Sequence, residues 1–400
     1  MGRVIAALHK NCTDYAMPMG MDNQIFNELD KEKVEVLFEP QNSPNNRMVG
    51  TIVLVHLKCK EKMSVIYAVE KLRANPCVVA AEPDHYIEPH VTLGNPYILP
   101  HELRIIPNDT YFGYLWGLRK VKAPAAWNYS TGSPRVVVGV VDSGVDFEHP
   151  DLNANMWPSH GQGLYGWNFF DDNDNPMDQT GHGTHVAGTI GAIGNNLIGV
   201  TGVCWNVKIA ALKIGNNLFS SSAAIKAIDY ANKHKISILN NSWGGAYSSI
   251  LKLAIENYDG LFIASAGNAG SDNDIFPVFP ASFGGSNMIS VAACTQNNAL
   301  ASFSNYGLAS VDIAAPGTDI FSTSISGGYS FMDGTSMAAP YVSGAAALLK
   351  SYRPDLTNLE IKNIILSSVD RQPLLYGKIL TRGTLNLSRM FEMAELPVFR

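Results

Sequence analysis

Only 16% of the 400 residues are charged, and no apolar run approaches the ~20 residues that a membrane-crossing helix requires, so insertion into a bilayer is not expected. Positive charge is not in excess. The chain has 29 Lys and Arg against 35 Asp and Glu, a formal net charge of −6, and no polybasic stretch that would serve nucleic acid or an anionic membrane. Cysteine is scarce: Cys12, Cys59, Cys77, Cys204 and Cys294 are odd in number, widely spaced and without a C-x-x-C pair. That pattern supports neither a zinc site nor a dense disulfide framework, and it reads as mostly buried thiols. The N-terminal residues carry one apolar block, Val4 to Leu8. It is shorter than the ~7–15 residues of a secretory core, and Ala6 stands where a myristoylation signal needs Ser or Thr. A soluble chain without a conventional signal peptide is the expectation. Sequons at Asn11, Asn108, Asn128, Asn240 and Asn386 read as chance matches, because Asn240 ends an apolar run expected to be a buried strand.

What is present is apolar surface, 46% of residues, enough for at least one large core. After an N-terminal extension over residues 1–30, the stretches VEVLFEP, GTIVLVHLK and CVVAAEP read as strands, and EKMSVIYAVEKLRANP reads as an amphipathic helix stopped at Ala74-Asn75-Pro76. They form a small α+β domain over residues 31–88. A linker rich in His, Pro and Gly follows over 89–105, with no period of either kind, exposed and easily cut.

From residue 106 to 400, apolar strands alternate with helices: VVVGVVDSG, a helix from His182 to Ile193, VKIAALKIG, a helix from Ser222 to Lys233, ISILNNSW, LFIASAGN, MISVAAC, and a helix after Ser336. Buried strands spaced by helices predict an α/β fold, a doubly wound, mostly parallel sheet. Ligand sites in such sheets form beyond the carboxyl ends of the strands. Asp142 follows VVVGVV, His182 opens a helix in TGHGTHVAG, and Ser336 opens another in GTSMAAP. Singly, each reads as a strand-end or helix cap. Together they supply a carboxylate, a base and a nucleophile.

The chain order Asp, His, Ser, with DSGVDFEHPDL, HGTHVAGTIGA, NNSWGG, ASAGNAG and GTSMAAPYVSGAAALL, resembles the subtilisin-like serine proteases, or subtilases, continuously over residues ~105 to 390. The resemblance implies a serine endopeptidase with Asp142, His182 and Ser336 as triad, and Asn268 with the Ser336 N–H as oxyanion donors. It implies no cofactor for the chemistry and an extended polypeptide as substrate. The primary pocket would be walled by Ser242, Trp243 and Gly244 on one side and by Ser265, Ala266 and Gly267 on the other. Leu212 to Gly215 would precede the strand edge that pairs with substrate. Neither wall carries a charge, which points away from basic residues, although Asp272 and Asp274 lie close in sequence. His185, one turn after His182, is assigned a structural role. Pro340 is placed in the first turn of its helix, and Gly344 with Ala345 to Ala347 lets that helix pack closely.

By the same resemblance Asp109, Asp151, Asn195 and Asn196 match positions of an oxygen-lined structural calcium site. The acidic loop Asp171 to Asn175 is like a second calcium loop, but Asn168 and Met177 stand where that pattern has ligands. Residues 31–88 resemble the inhibitor-type propeptide of the family, so self-processing in the linker is expected, with the chain's own propeptide as inhibitor. A catalytically silent polypeptide-binding protein on the same fold is the alternative.

Overall fold

The computed structural model describes residues 3–9, 26, 29, 31–38, 49–58, 62–84, 86–89, 105–158 and 165–396. The N-terminal part is a four-stranded antiparallel sheet with one helix, built from β1 (Arg3–His9), β2 (Lys31–Phe38), β3 (Val49–Leu57), α1 (Lys62–Arg73) and β4 (Val78–Pro83) in the order β2-β3-β1-β4. The expected helix and strands are there, with one correction. Val4 to Leu8, assigned to a separate extension over 1–30, belong to β1, an inner strand whose Ile5 lies opposite both Leu54 and Glu82. The block is apolar at every position because both faces of the strand are covered. Val4, Ala6 and Leu8 pack with Val53, Val55, Ala68 and Leu72 on the α1 side, whereas Ile5 and Ala7 join Leu37, Ile52 and Leu54 in a core shared with the second part. Cys77 is disulfide-bonded, against the reading of thiols. Cys204 and Cys294 are thiols, each pushed up to about 12 by burial. Cys12 and Cys59 lie outside the described residues, as does much of the 89–105 linker.

The second part begins with β5 (Tyr86–Pro89), α2 (Trp116–Lys120), α3 (Ala123–Ala126), β6 (Gly132–Asp142), β7 (Gly166–Asn168), α4 (His182–Gly191), β8 (Asn206–Lys213), β9 (Phe219–Ser220) and α5 (Ser221–Lys233). It continues through β10 (Ile238–Asn241), β11 (Trp243–Gly244), α6 (Ser249–Glu256), β12 (Leu261–Ser265), β13 (Met288–Cys294), β14 (Ile313–Pro316) and the hairpin β15 (Ile320–Ser324) and β16 (Gly328–Met332). Helices α7 (Thr335–Tyr352), α8 (Asn358–Ser367) and α9 (Leu387–Glu395) close it, with β17 (Asp370–Arg371) and β18 (Gly383–Thr384) between the last two.

Nine strands form one sheet in the order β17-β18-β14-β13-β12-β10-β6-β8-β7, parallel throughout except for β17 against β18. This is the doubly wound α/β sheet the alternation predicts. Alternate residues of each strand enter different cores. Val138, Val140, Ile238 and Ile263 pack with Val186 and Ile190 of α4 and the small residues of α7; Val141, Leu239, Phe262 and Ala264 pack with Ala224, Ile228, Leu251 and Ile255 of α5 and α6. The N-terminal sheet lies over α5 and α6 and completes that second core. No helix of the described residues is long and apolar enough to cross a membrane.

Candidate active site

β6 runs inside the sheet between β10 and β8 and delivers Asp142, fully buried, at its carboxyl end. Asp142 Oδ1 accepts from Ser143 N at 2.7 Å and lies 2.7 Å from His182 Nδ1, so the imidazole donates from Nδ1 and keeps Nε2 as its free acceptor. His182 is the first residue of α4, behind Gly181 in the left-handed region at φ 90°. Gly183 allows the helix to sit against β6, because a Cβ there would fall on the Gly144 carbonyl oxygen and on Asp142. Burial by itself would lower the pKa of His182, but the charge and hydrogen bond of Asp142, with the charge of Asp178, outweigh it and hold the imidazole above its ordinary range. His182 Nε2 is buried and has no hydrogen-bond partner.

Ser336 is the second residue of α7, buried, and its Oγ donates to Ser242 O at 2.9 Å. Rotation about χ1 is what would turn that hydroxyl from its resting acceptor toward an imidazole. Pro340 is not in the first turn but sixth in the helix. There its missing N–H leaves the Ser336 carbonyl without an i+4 donor, and Ser242 Oγ supplies the bond instead, at 2.8 Å. The proline therefore ties the start of α7 to the residue after β10. Gly344, expected to let the helix approach the sheet, instead meets α4 and the loop before β8, where a Cβ would fall on Val203 and close to the Ile190 carbonyl. His185 has its Nε2 against Ile320 O at 2.9 Å and is pushed down to about 4, chiefly by burial, so it is neutral and structural.

Asn268 follows the β12 turn, where Gly267 has φ 112°. Thr335 donates to Asn268 Oδ1 twice, from N at 3.0 Å and from Oγ1 at 2.8 Å. The amide is thereby fixed with Nδ2 pointing the other way, buried and unpartnered. A buried unpaired donor beside a nucleophile costs stability unless a ligand oxygen completes it. Ser242, Trp243 and Gly244, expected as one wall of the primary pocket, follow β10, and Ser265, Ala266 and Gly267, expected as the other, end and follow β12, its neighbour in the sheet. Such an arrangement can take a proton from a hydroxyl and hold an oxyanion, which is acyl-transfer chemistry.

Residues 133–389 match the Subtilase family as a whole. The chain belongs to the subtilase family. It is 37% identical over 310 residues to the "Thermophilic serine proteinase" of Bacillus sp. (strain AK1), covering 76% of this chain and 70% of that one. With "Thermitase" of Thermoactinomyces vulgaris it is 38% identical over 260 residues, covering 63% of this chain and 88% of that protein. A match to "Subtilisin-like protease 2" of Plasmodium falciparum at 38% identity spans 20% of that longer protein. Among solved structures, a protease from Pseudoalteromonas arctica PAMC 21717 aligns with TM-score 0.64 and 29% identity over 72% of this chain and 99% of that one. The subtilase is thus a serine-type endopeptidase acting on polypeptides.

The subtilase fold also brings the four expected calcium positions together. Asn195 N donates to Asp109 Oδ2 at 2.8 Å, and Asn196 Nδ2 donates to Asp151 Oδ1 at 2.7 Å. Asp109 Oδ1 is buried without a partner. Both carboxyls are raised by burial, Asp109 further by the charge of Asp151. The acidic loop satisfies itself instead. Asn168 Oδ1 accepts from Phe170 N and Asp171 N, and Asn173 and Asn175 close turns of their own. Among the described residues no group of three or more His, Cys, Asp or Glu is placed to hold a metal. Asp274 is engaged by Ala309 and Ser310. Sequence reasoning missed Thr335, whose signal was its place directly before Ser336, and the Ser242 hydroxyl. It also missed Glu82 and Asp84, which stand just ahead of the linker.

Proposed function

We propose that this subtilase is a self-processing zymogen in which Ser336 is the nucleophile, His182 the base and Asp142 its orienting carboxylate. The pairing of Asp142 with His182 Nδ1, which leaves Nε2 buried and unpartnered, is the observation that carries the reading. His182 Nε2 takes the Ser336 hydroxyl proton as Oγ attacks the scissile carbonyl. The resulting oxyanion accepts from Asn268 Nδ2 and the Ser336 N–H, and the imidazolium, stabilised by Asp142, returns its proton to the leaving amine. Water then repeats the sequence on the acyl-enzyme. Asn268→Ala should lower kcat about 10²–10³-fold with little change in KM, measured on a chromogenic peptide; an unaltered kcat removes Asn268 from the oxyanion site. No feature of the site favours the silent alternative.

The N-terminal part supports the zymogen reading through backbone pairing. β5 lies antiparallel between β11 and β9, with Pro89 opposite Trp243, Glu88 opposite Gly244, and Tyr86 opposite Ser220. An extended segment paired on both edges in that register suits the way a bound peptide would add to these strands. Two carboxylates fix it from behind. Glu82 accepts from Ser248 Oγ, Ser249 N and Ser249 Oγ at the start of α6, and Asp84 accepts from Ser222 N and Oγ at the start of α5, while also pairing with Arg3. Anionic caps at two helix N-termini suit an inhibitor that ends in the cleft. At about 0.5–2 kcal/mol per cap, the double variant Glu82→Gln/Asp84→Asn of the released N-terminal domain should inhibit mature enzyme roughly 10- to 100-fold less tightly. Equal inhibition constants would show that the caps hold nothing.

Calcium belongs to the same proposal. The unpartnered Asp109 oxygen, the two raised carboxyls and the Asn195-Asn196 loop suit a hard divalent cation with oxygen ligands, held by Asp109 and Asp151 and closed by that loop. The ion would act on stability and take no part in the chemistry. A ligand of the native state at 100 times its Kd adds about 2.7 kcal/mol, roughly 5–10 °C for a domain of this size. A melting temperature indifferent to chelator would remove the site.

A further inference from the structure

Lys213, the last residue of β8, is among the largest fully buried side chains of the molecule, although it is a lysine. In the sheet it sits opposite Asp142. Its Nζ donates to Met177 O at 2.8 Å, the carbonyl directly before Asp178; burial lowers the pKa of its ammonium, and the charges of Asp178 and Asp171 oppose that shift in part. Asp178 is itself buried and accepts bonds from two elements at once. Its Oδ1 accepts from Ser143 Oγ at 2.9 Å and from Thr180 N at 2.9 Å; its Oδ2 accepts from Thr184 N at 3.0 Å and Thr184 Oγ1 at 2.7 Å. Ser143 adjoins Asp142, Thr184 is two residues beyond His182, and Ser143 Oγ also accepts from Gly183 N at 2.9 Å.

We propose that Asp178 and Lys213 are a positioning pair for the reaction: the Asp178 carboxylate pins the strand end that carries Asp142 to the helix start that carries His182, and Lys213 holds the loop that presents it. The proposal rests on Asp142 and His182 being the acid and base of the triad. The 2.7 Å contact between those two is made by two short stretches 40 residues apart, joined directly by Gly183 N to Ser143 Oγ and by Asp146 N to Thr184 Oγ1, and the strut from Ser143 through Asp178 to Thr184 braces the same junction through a carboxylate. Burying a lysine costs several kcal/mol unless anions and acceptors meet it, so its place under the loop that carries the Met177 carbonyl and the Asp178 carboxylate has a physical reason.

A charge follows from the same geometry. The groups facing His182 are Asp142 from β6 and Asp178 from the loop before α4; His185, on the same helix, is neutral, and Lys213 lies across Asp142 on β8. Both carboxylates favour the imidazolium, so Asp178 delays the appearance of the neutral base as pH rises.

The test uses the mature enzyme and a peptide substrate. Asp178→Asn should lower kcat about tenfold with KM within about twofold, and the acid limb of kcat/KM should move to lower pH by about half a unit. A limb that stays in place overturns the role of the Asp178 charge. Ser143→Ala removes one strut and leaves the charge, so kcat should fall several-fold with the limb unmoved; an undiminished kcat overturns the positioning role, and this variant decides the matter where Asp178→Asn does not fold. Lys213→Met should lower kcat in the parent but add little in the Asp178→Asn background. Fully additive losses would dissolve the pair. None of these outcomes touches the triad reading, which falls only if Ser336→Ala remains active.

Discussion

Ser336→Ala is expected to accumulate as an uncut chain of 43.3 kDa, while the parent yields a shorter protein whose first residue lies between His90 and Asn108. Two arguments converge on that result. Removing the hydroxyl deletes the atom that forms the acyl-enzyme, and loss of a triad nucleophile costs about 10⁶ in kcat. The strand just ahead of the expected cut is held on the second part: β5 is paired on both edges with β11 and β9, and its last residue, Pro89, lies opposite Trp243, next to Ser242, whose carbonyl accepts from Ser336 Oγ. The precursor should nevertheless fold, because the substituted hydroxyl contributes a single bond to Ser242 O while Thr335, Pro340 and the small residues of α7 keep their packing. Intact mass and N-terminal sequencing after expression in a protease-deficient host check it. A Ser336→Ala chain still cut in the linker would mean that another protease activates this one.

How much of this the sequence disclosed follows from how local each signal is. Asp142, His182 and Ser336 each end an element or lie at the start of one, and Gly181, Gly183 and Gly334 mark those ends, so short motifs around them were enough to single out the candidate residues. β1 was not legible. Its buried residues pair with Ile52 to Val55 and with Val78 to Pro83, dozens of residues away, and a strand covered on both faces has no alternation to announce it. The bonds from Glu82 and Asp84 to the starts of α6 and α5 span well over a hundred residues, and each carboxylate alone looks like ordinary surface charge. Lys213 illustrates the same limit. A lysine at a strand end reads as a solvated tip, and only the loop folded over it makes it a buried cation. Pro340 was misplaced by a turn because the start of α7 depends on Gly334, whose φ of 150° begins the helix just before Ser336.

Asp142→Asn should reduce kcat by about 10⁴ and, in the residual activity, shift the acid limb toward lower pH. Asp142 Oδ1 accepts from both Ser143 N and His182 Nδ1, and Oδ2 is buried without a partner. An asparagine can place its oxygen at the Oδ1 position and its amide at the other, so the imidazole keeps its contact and loses only the charge that stabilises its cation. Burial then acts on His182 with less opposition, and its pKa falls from above the ordinary histidine range toward or below it. The sign is the same in stability and opposite in activity. A raised histidine pKa contributes stability that is complete below the unfolded value and lost as pH climbs through the folded one. Activity needs the neutral base and appears as that same group deprotonates. In Asp142→Asn both transitions should move down together, the first read from melting temperature against pH and the second from kcat/KM, and processing of the precursor should slow as hydrolysis does. A variant with the lowered plateau but an unmoved limb would show that Asp142 orients His182 without setting its charge.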